Sequence, residues 1–451
     1  MDLNQFQERL FEAGRNVGFT DMECYTRKRE QFSCRLFEGA IDSYESAELF
    51  GLSFRGMFAG KMGYAFTERI DEEAISYLLE NAKENALILK MDDEEDIFEG
   101  SSEYRADNYL SEALQEVTPQ EKIAFLMDVE RQVRAYDPRV TGIPYCTLGS
   151  SSQERSIRNT RGLALRDAKN EIYVAVGVKV EANGEVKSGS VYQATIDFES
   201  LNASEIARKI CEEALGQLGS KVIPNKTYPV LFRSDVAAAL LATFVPIFSA
   251  ENVQKGRSLL AGKLGSRIGV DALTIVDHPF LPDGLASRNF DDEGFASREL
   301  KVVEKGTLLS FLHNRKTAKK DGVESTGHAR KAQFNGSVSI APSNLYIEPS
   351  DTSCDDLVAS IDDGVLVTSL SGLHSGANPV SGEFSLAAHG YHIANGQIAE
   401  PLNQLTVAGN FFAVLQSIQA IGADLEFHPA AGGSVGAPSL VIQELSITVE
   451  T

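Results

Sequence analysis

Apolar residues at Leu3, Phe6, Leu10, Phe11 and Ala13 fall at helical spacing and predict a helix over residues 3–17, with strand-like alternation from about residue 20. Between Phe32 and Thr67 the pattern predicts several short strands. Phe50, Leu52 and Phe54 alternate on one side of Ala59-Gly60-Lys61, and Met62, Tyr64 and Phe66 on the other, so that tripeptide reads as a hairpin turn. Asp71 is placed to cap a helix with Ala74, Ile75, Leu78, Leu79, Ala82 and Ala86 on its apolar face. A third helix is expected from Pro119 to Tyr136, followed by strand-like segments at Val140–Leu148, Ser156–Asn159 and Ile172–Val180, and a turn over Asn183–Ser188. Ile206, Ile210, Ala214 and Leu218 recur every fourth position and predict a helix over Ser204–Leu218, closed by Gly219. Tyr228–Phe232 then reads as an apolar strand and Asp235–Thr243 as a helix, before many short strands divided by glycine turns.

These elements predict an α+β chain in three units: an N-terminal helix-and-sheet domain (1–95), a central α+β domain (108–222) and a large β-rich C-terminal domain (226–451). The first boundary falls in residues 92–107, where eight acids and one base read as a solvated linker. At roughly 150 residues per domain, 451 residues agree with about three units.

Charge narrows the function. Lysine and arginine number 42 against 64 aspartates and glutamates, a net charge of −22, so nucleic acid and anionic membrane are poor partners. The longest mostly apolar run, Val236–Phe248, is too short to cross a bilayer, and the first residues lack an export signal, so a cytoplasmic protein is expected. The five cysteines are scattered and never form a CxxC pair, which predicts reduced thiols. After Lys331 the chain has no lysine or arginine but twelve acids, while Arg315, Lys316, Lys319, Lys320, Arg330 and Lys331 cluster just before. Either the two segments pack together or on opposite faces of one domain, or the base-free region lines a cavity or a partner interface.

No HExxH or HExxxH zinc helix, no GxxxxGK[ST] loop and no GxGxxG fingerprint occurs. A GxSxG pattern at Gly432–Gly436 lacks the flanking strand and helix of a nucleophile elbow and reads as a flexible glycine loop. His389 and His392 lie three apart in a strand-like segment and would share a metal only if Gly390 marks a bulge; they read as surface or packing residues. Asp291, Asp292 and Glu293 could supply oxygen to a hard cation, but a solvated turn ending at Gly294 is the plainer reading. Arg298 is the nearest downstream arginine able to pair with them.

Several stretches, taken in order, resemble the TldD/PmbA family, also called modulators of DNA gyrase, and within it the PmbA (TldE) branch. They are YPVLF (228–232), ENVQKGRS (251–258), NFDDEGFASRELKVVEKGTLLSFLHNRKTAKKDG (289–322), STGHAR (325–330), GANPVSGEFSLAAHGYHIANGQIAEPLNQLTVAGNF (376–411) and GSVGAPSL (433–440). Looser likeness extends over GLSFRGMFAGKMGYAFT (51–67), NTRG (159–162) and IARKICEEAL (206–215). The resemblance implies a cytosolic peptidase assembly in which a TldD-type subunit carries zinc on an HExxxH helix and pairs with a PmbA-type subunit around a chamber that degrades or trims unfolded peptides. The corresponding helix here follows YPVLF and has no histidine or cysteine, so this chain is expected to hold no zinc and no catalytic residue of its own. Its expected partners are a TldD-type subunit or a second copy of itself, and unfolded peptides.

The matching stretches make Asp291, Asp292, Glu293, Arg298, His328, Arg330, Asn378, Glu383 and Ser385 the expected substrate-binding residues, with the 291–294 turn supporting the cavity and supplying no nucleophile. Two other readings stand beside this one: a stand-alone metallopeptidase using His374, His389, His392 and Glu383, and an acidic interaction protein without peptide processing.

Overall fold

Helix α1 (Leu3–Val17) begins at a capping box: the Asp2 carboxylate accepts the Gln5 N–H at 2.9 Å while the Gln5 side chain accepts the Asp2 N–H. The computed structural model describes residues 1–88, 96–430 and 432–450. Where several short strands were expected, two of 19 residues follow, β1 (Phe19–Phe37) and β2 (Ala40–Phe58), and then β3 (Lys61–Thr67). Polar residues in mid-strand do not end β1, because it is hydrogen-bonded along both edges and each side chain needs only one covered face. The β2–β3 turn is the expected one, with Ala59 and Gly60 at φ of 50° and 77°, the geometry that matches strand twist. Asp71 caps α2 (Glu72–Ile88) by accepting the Ala74 N–H at 2.9 Å.

A short helix α3 (Glu112–Glu116) precedes α4 (Pro119–Tyr136), which has the predicted bounds because Thr118 and Glu121 form a capping box ahead of Pro119. Two of the expected strand segments are one strand, β4 (Val140–Asn159), followed by β5 (Ala164–Ala182) and β6 (Glu185–Thr195). Helix α5 (Ala203–Leu215) stops short of Leu218: the N–H groups of Gln217 and Leu218 reach back only three residues, to Ala214 and Leu215.

One antiparallel sheet, ordered β3-β2-β1-β4-β5-β6, joins the stretches the sequence assigns to the first two units. On one face of β1, Met22 and Cys24 pack with α1 and α2, and Phe32, Cys34 and Leu36 with the cluster containing α4 and α5. The opposite face carries Tyr25, Arg27 and Arg29. Residues 92–95 of the acidic stretch lie outside the described residues; the part from 96 onward is docked, not solvated. Ile97 is buried, Tyr104 Oη donates to Gly294 O at 2.7 Å, and Asp107 and Asn289 exchange two hydrogen bonds. Its acids stay at the surface while its apolar and aromatic side chains find partners.

The third unit opens with β7 (Lys226–Phe232), α6 (Ser234–Phe244) and α7 (Ala250–Gln254). Next come β8 (Ile275–Asp277), β9 (Leu300–Glu304), β10 (Thr307–Leu308), α8 (Arg315–Asp321), β11 (Ala329–Lys331), β12 (Val338–Ile340), β13 (Asn344–Ile347) and α9 (Cys354–Ala359). The chain continues through β14 (Asp363–Ser371), β15 (Glu383–Ala394), β16 (Gln397–Pro401), β17 (Leu405–Asn410), α10 (Phe411–Ser417) and β18 (Ile418–Ile421). It ends in β19 (Glu426–Ala430), β20 (Gly433–Ala437) and β21 (Leu440–Val449). Strands β14, β7, β21, β17 and β15 close into a ring, since β15 pairs with β17 along one edge and with β14 along the other. A six-stranded sheet, β10-β9-β8-β13-β20-β19, lies beside it, and α6 packs on β19 and β20. Phe244 of α6 stacks on Phe411 with centroids 4.4 Å apart in the core of this unit. Among the described residues no helix is long and apolar enough to cross a membrane.

Candidate functional site

The 291–294 turn is deeply buried, not solvated: Asp291, Asp292 and Glu293 are 0%, 2% and 8% exposed. Backbone donors hold Asp291, whose Oδ1 accepts from Glu293 N and Phe295 N at 2.9 Å and Oδ2 from Ala329 N at 3.0 Å. Burial and the neighbouring Glu293 nonetheless raise the Asp291 carboxyl to about 7. Burial also raises Glu293, which accepts the Arg315 N–H at 2.8 Å.

Asp292 reaches the N-terminal sheet. It accepts Arg155 Nη1 at 2.6 Å, Tyr25 Oη at 3.0 Å and Lys331 N at 2.7 Å, with Arg330 and Arg27 at 3.6 and 3.8 Å. Burial alone would raise this carboxyl, but Arg155, Arg330 and Arg27 outweigh it and hold it well below the usual carboxylate range. Arg298, the expected partner, bonds instead to Glu324 at 2.8 Å and to Ser325 O at 3.1 Å. The nearest downstream cation is not the nearest in space, because the turn faces β1 and β4 while Arg298 faces the 324–325 loop. Lys331 likewise turns to the N-terminal sheet, its ammonium 4.5 Å from the Tyr25 ring centre.

His328 lies beneath this group. Its Nε2 is 2.9 Å from Asp277 Oδ2 and its Nδ1 2.8 Å from Thr326 Oγ1, and Asp277 also accepts the Ser343 N–H. A hydroxyl, an imidazole and a carboxylate in line suggest nucleophile chemistry, yet Thr326, His328 and Asp277 are 4%, 1% and 1% exposed. Substrate has no route to that hydroxyl, and the row ties β8 to the 326–328 segment.

The other expected residues collect elsewhere. Asn378, Glu383 and Ser385 are exposed around the turn entering β15, where Asn378 N donates to Glu383 O at 2.8 Å and Ser385 N to Gly376 O at 2.7 Å. Among the described residues no hydrogen bond or ion pair joins them to the Asp292 group. The GxSxG segment is strand β20, with Ser434 buried and paired against β13 and β19, so it is neither a flexible loop nor a nucleophile elbow. Its glycines permit close strand packing: a Cβ at Gly433 would lie 2.4 Å from Pro342 O.

The helix after β7 offers zinc very little. Along α6 the only ligating carboxylate is Asp235, held by both arms of Arg233 at 2.7 Å, and Val236, Leu240, Leu241 and Phe244 turn into the core. His428, exposed on β19, lies within the field of Asp235. The three histidines of the runner-up metal site are not assembled: His392 Nε2 is 2.8 Å from Asp363 Oδ1, His389 is half-buried on the same strand and His374 is exposed in a turn. Among the described residues no three His, Cys, Asp or Glu side chains are grouped as a metal site needs. The donor set among the described residues does not fit zinc.

Sequence reasoning missed Tyr25, Arg27 and Arg155. Tyr25, Arg27 and Arg29 do share a period of two, which puts them on one face of β1, but nothing local marks that face as covered.

Comparison with known proteins places these features in context. Residues 225–449 match the PmbA/TldA metallopeptidase C-terminal domain, 112–218 the central domain and 22–86 domain 1. A crystal structure from Thermotoga maritima, described as a putative modulator of a DNA gyrase, superposes with a TM-score of 0.91 at 34% identity, covering 99% of this chain and 100% of that one. TldE from Thermococcus kodakarensis has the same fold, with a TM-score of 0.89 at 23% identity over 98% of this chain and 100% of that one. The metalloprotease PmbA of Escherichia coli O157:H7 is 27% identical over 333 residues, 74% of this chain and 70% of its own length.

Proposed function

Because the chain belongs to the PmbA/TldD metallopeptidase family, we propose that it is the PmbA/TldE-type subunit of a two-subunit zinc peptidase. In this reading it holds unfolded peptide and completes the chamber, while a TldD-type partner supplies the zinc. The observation that carries the reading is α6: the helix expected to bear the metal presents one carboxylate, already bonded to Arg233, and otherwise apolar side chains. Among the described residues no ligand set is assembled to lower the pKa of a bound water, so in this reading the hydroxide nucleophile comes from the partner. What this chain can offer a peptide is backbone. Strand β19 lies at the edge of its sheet with Glu426, Phe427, His428 and Pro429 exposed, an edge on which an extended segment could pair without its side chains being read. A cytoplasmic setting agrees with five free cysteines, four of them buried.

The test is to purify the chain alone and together with a TldD-type subunit, and to measure zinc by elemental analysis and cleavage of an unfolded peptide. We expect no stoichiometric zinc and no cleavage from the chain alone, a stable complex, and cleavage by the pair. One zinc per isolated chain, lost on replacing His389 or His392, would overturn the assignment. A pair that neither binds nor cleaves peptide would leave the acidic interaction protein as the better account.

A further inference from the structure

In a chain of net charge −22, one place gathers positive charge. Two adjoining hollows, open to solvent, lie between the β4–β5 part of the N-terminal sheet and the third unit, sharing Gln153, Lys169 and Arg330 in their walls. Five cations line them, Arg29, Arg155, Lys169, Arg288 and Arg330, against two carboxylates, Asp167 and Glu171. Both carboxylates are engaged: Asp167 accepts Arg155 Nη2 at 3.0 Å and Glu171 accepts the Ser151 hydroxyl at 3.4 Å. Asp292, behind the wall, already accepts three hydrogen bonds.

The remaining cations are under-satisfied. Arg288 is 5% exposed, and its Nε is buried without a hydrogen-bond partner; its Nη2 finds only the carbonyls of Gly327 and Ala341. Arg330 also has a buried Nε without a partner, and its nearest carboxylate is 3.6 Å away. Lys169 Nζ donates to Leu285 O at 2.7 Å and to no carboxylate. Orphaned buried donors on guanidinium groups that repel one another are costly, and an anion accepting from them would remove both penalties. Burial, aggravated by Arg330, Arg155 and Arg288 and only partly offset by Glu171, pushes the Lys169 ammonium down to about 8.

We propose that this cleft binds a small oxyanion, a carboxylate or a phosphate, gripped by Lys169, Arg288 and Arg330 with Arg29 at the rim. A polyanion is a poor occupant, because the acidic surface repels it before the cleft can act, whereas a single charged group on a small or neutral molecule enters at little cost. The site goes beyond peptide holding and is read on the isolated chain, so its failure and that of the proposed subunit role are separate.

The experiment is titration calorimetry of the full chain, in a low-salt buffer free of phosphate and carboxylate, with inorganic phosphate, with a neutral tripeptide bearing a free C-terminal carboxylate, and with the same tripeptide as its amide. We expect phosphate, the free acid or both to bind, the amide not to, and the preferred acid to name the source of the oxyanion. Lys169→Gln should weaken binding about tenfold with its melting temperature unchanged, and Arg29→Gln, at the exposed rim, by a smaller factor. If Lys169→Gln does not fold, Arg29→Gln decides alone, a measurable loss supporting the site and none refuting it. Absence of binding by phosphate and free acid at millimolar concentration, equal binding of acid and amide without phosphate, or binding unchanged in both folded variants would overturn the proposal.

Discussion

Asp292 and Arg155 meet at 2.6 Å, 137 residues apart in sequence, in a contact from which water is almost wholly excluded. The same guanidinium bonds Asp167 and the Phe290 carbonyl, so one side chain of β4 fixes the 290–292 segment against the N-terminal sheet. The pair is strong because it is fully hydrogen-bonded: two charges taken out of water repay that cost only when their remaining lone pairs and protons are satisfied.

Removing one partner should therefore cost far more than a surface ion pair. Asp292→Ala leaves Arg155, Arg27 and Arg330 facing one another and should destabilise the chain by about 3–5 kcal/mol in chemical denaturation. Arg155→Lys should not restore stability, since an ammonium cannot bridge Asp292, Asp167 and the Phe290 carbonyl in one plane. A loss below about 1 kcal/mol for Asp292→Ala would show the contact to be incidental.

Asp291 and Asp292 should pull the pH dependence in opposite directions. With its carboxyl raised from 3.8 to about 7, Asp291 binds its proton more tightly folded than unfolded, so its contribution is full below pH 4 and drains as the pH rises towards 7. Asp292, held low, contributes above its unfolded value, and that contribution is lost as the pH falls through the folded one. Asp291→Asn should flatten the decline between pH 4 and 7 in a series of thermal melts. An unaltered slope would mean that Asp291 is ionised in the fold throughout that range.

Gly63 should tolerate no side chain. A Cβ there would lie 1.9 Å from Ala82 O, so Gly63→Ala must push α2 away from β3, at a cost of about 1–3 kcal/mol. Gly60, where an added Cβ meets nothing within 4 Å, is the control. Gly60→Ala should be penalised only through its positive φ, and an equal loss at both positions would refute the packing argument.

Phe244→Ala should cost about 3–5 kcal/mol, because it empties the space stacked on Phe411 at the centre of the third unit. The melting temperature of the whole chain reports it, and an unchanged value would mean that this core repacks freely.

What was legible in the sequence is what is decided within a few residues. The 3–17 helix, the Ala59-Gly60 turn, the Asp71 cap and both ends of α4 follow from spacing, cap chemistry and turn chemistry, and the structure has all four. Strand lengths were not legible: whether Phe19 to Phe37 is one strand or several depends on partners at residues 40–58 and 146–159. The same holds for the candidate site. Asp291, Asp292 and Glu293 announce themselves as adjacent carboxylates, but their burial is set by β1 and β4, and a search downstream of the turn finds Arg298 while Arg155 lies 137 residues upstream.

The ring in the third unit imposes an order on biosynthesis. Strand β7 pairs with β14 more than 130 residues later and with β21 at residues 440–449, so it leaves the ribosome long before either partner exists. Every strand of the N-terminal sheet, by contrast, has emerged by residue 195. The chain through α5 can thus settle during translation, while the apolar Tyr228–Phe232 segment must wait unpaired, the interval in which a nascent chain is most exposed to aggregation and most in need of a chaperone.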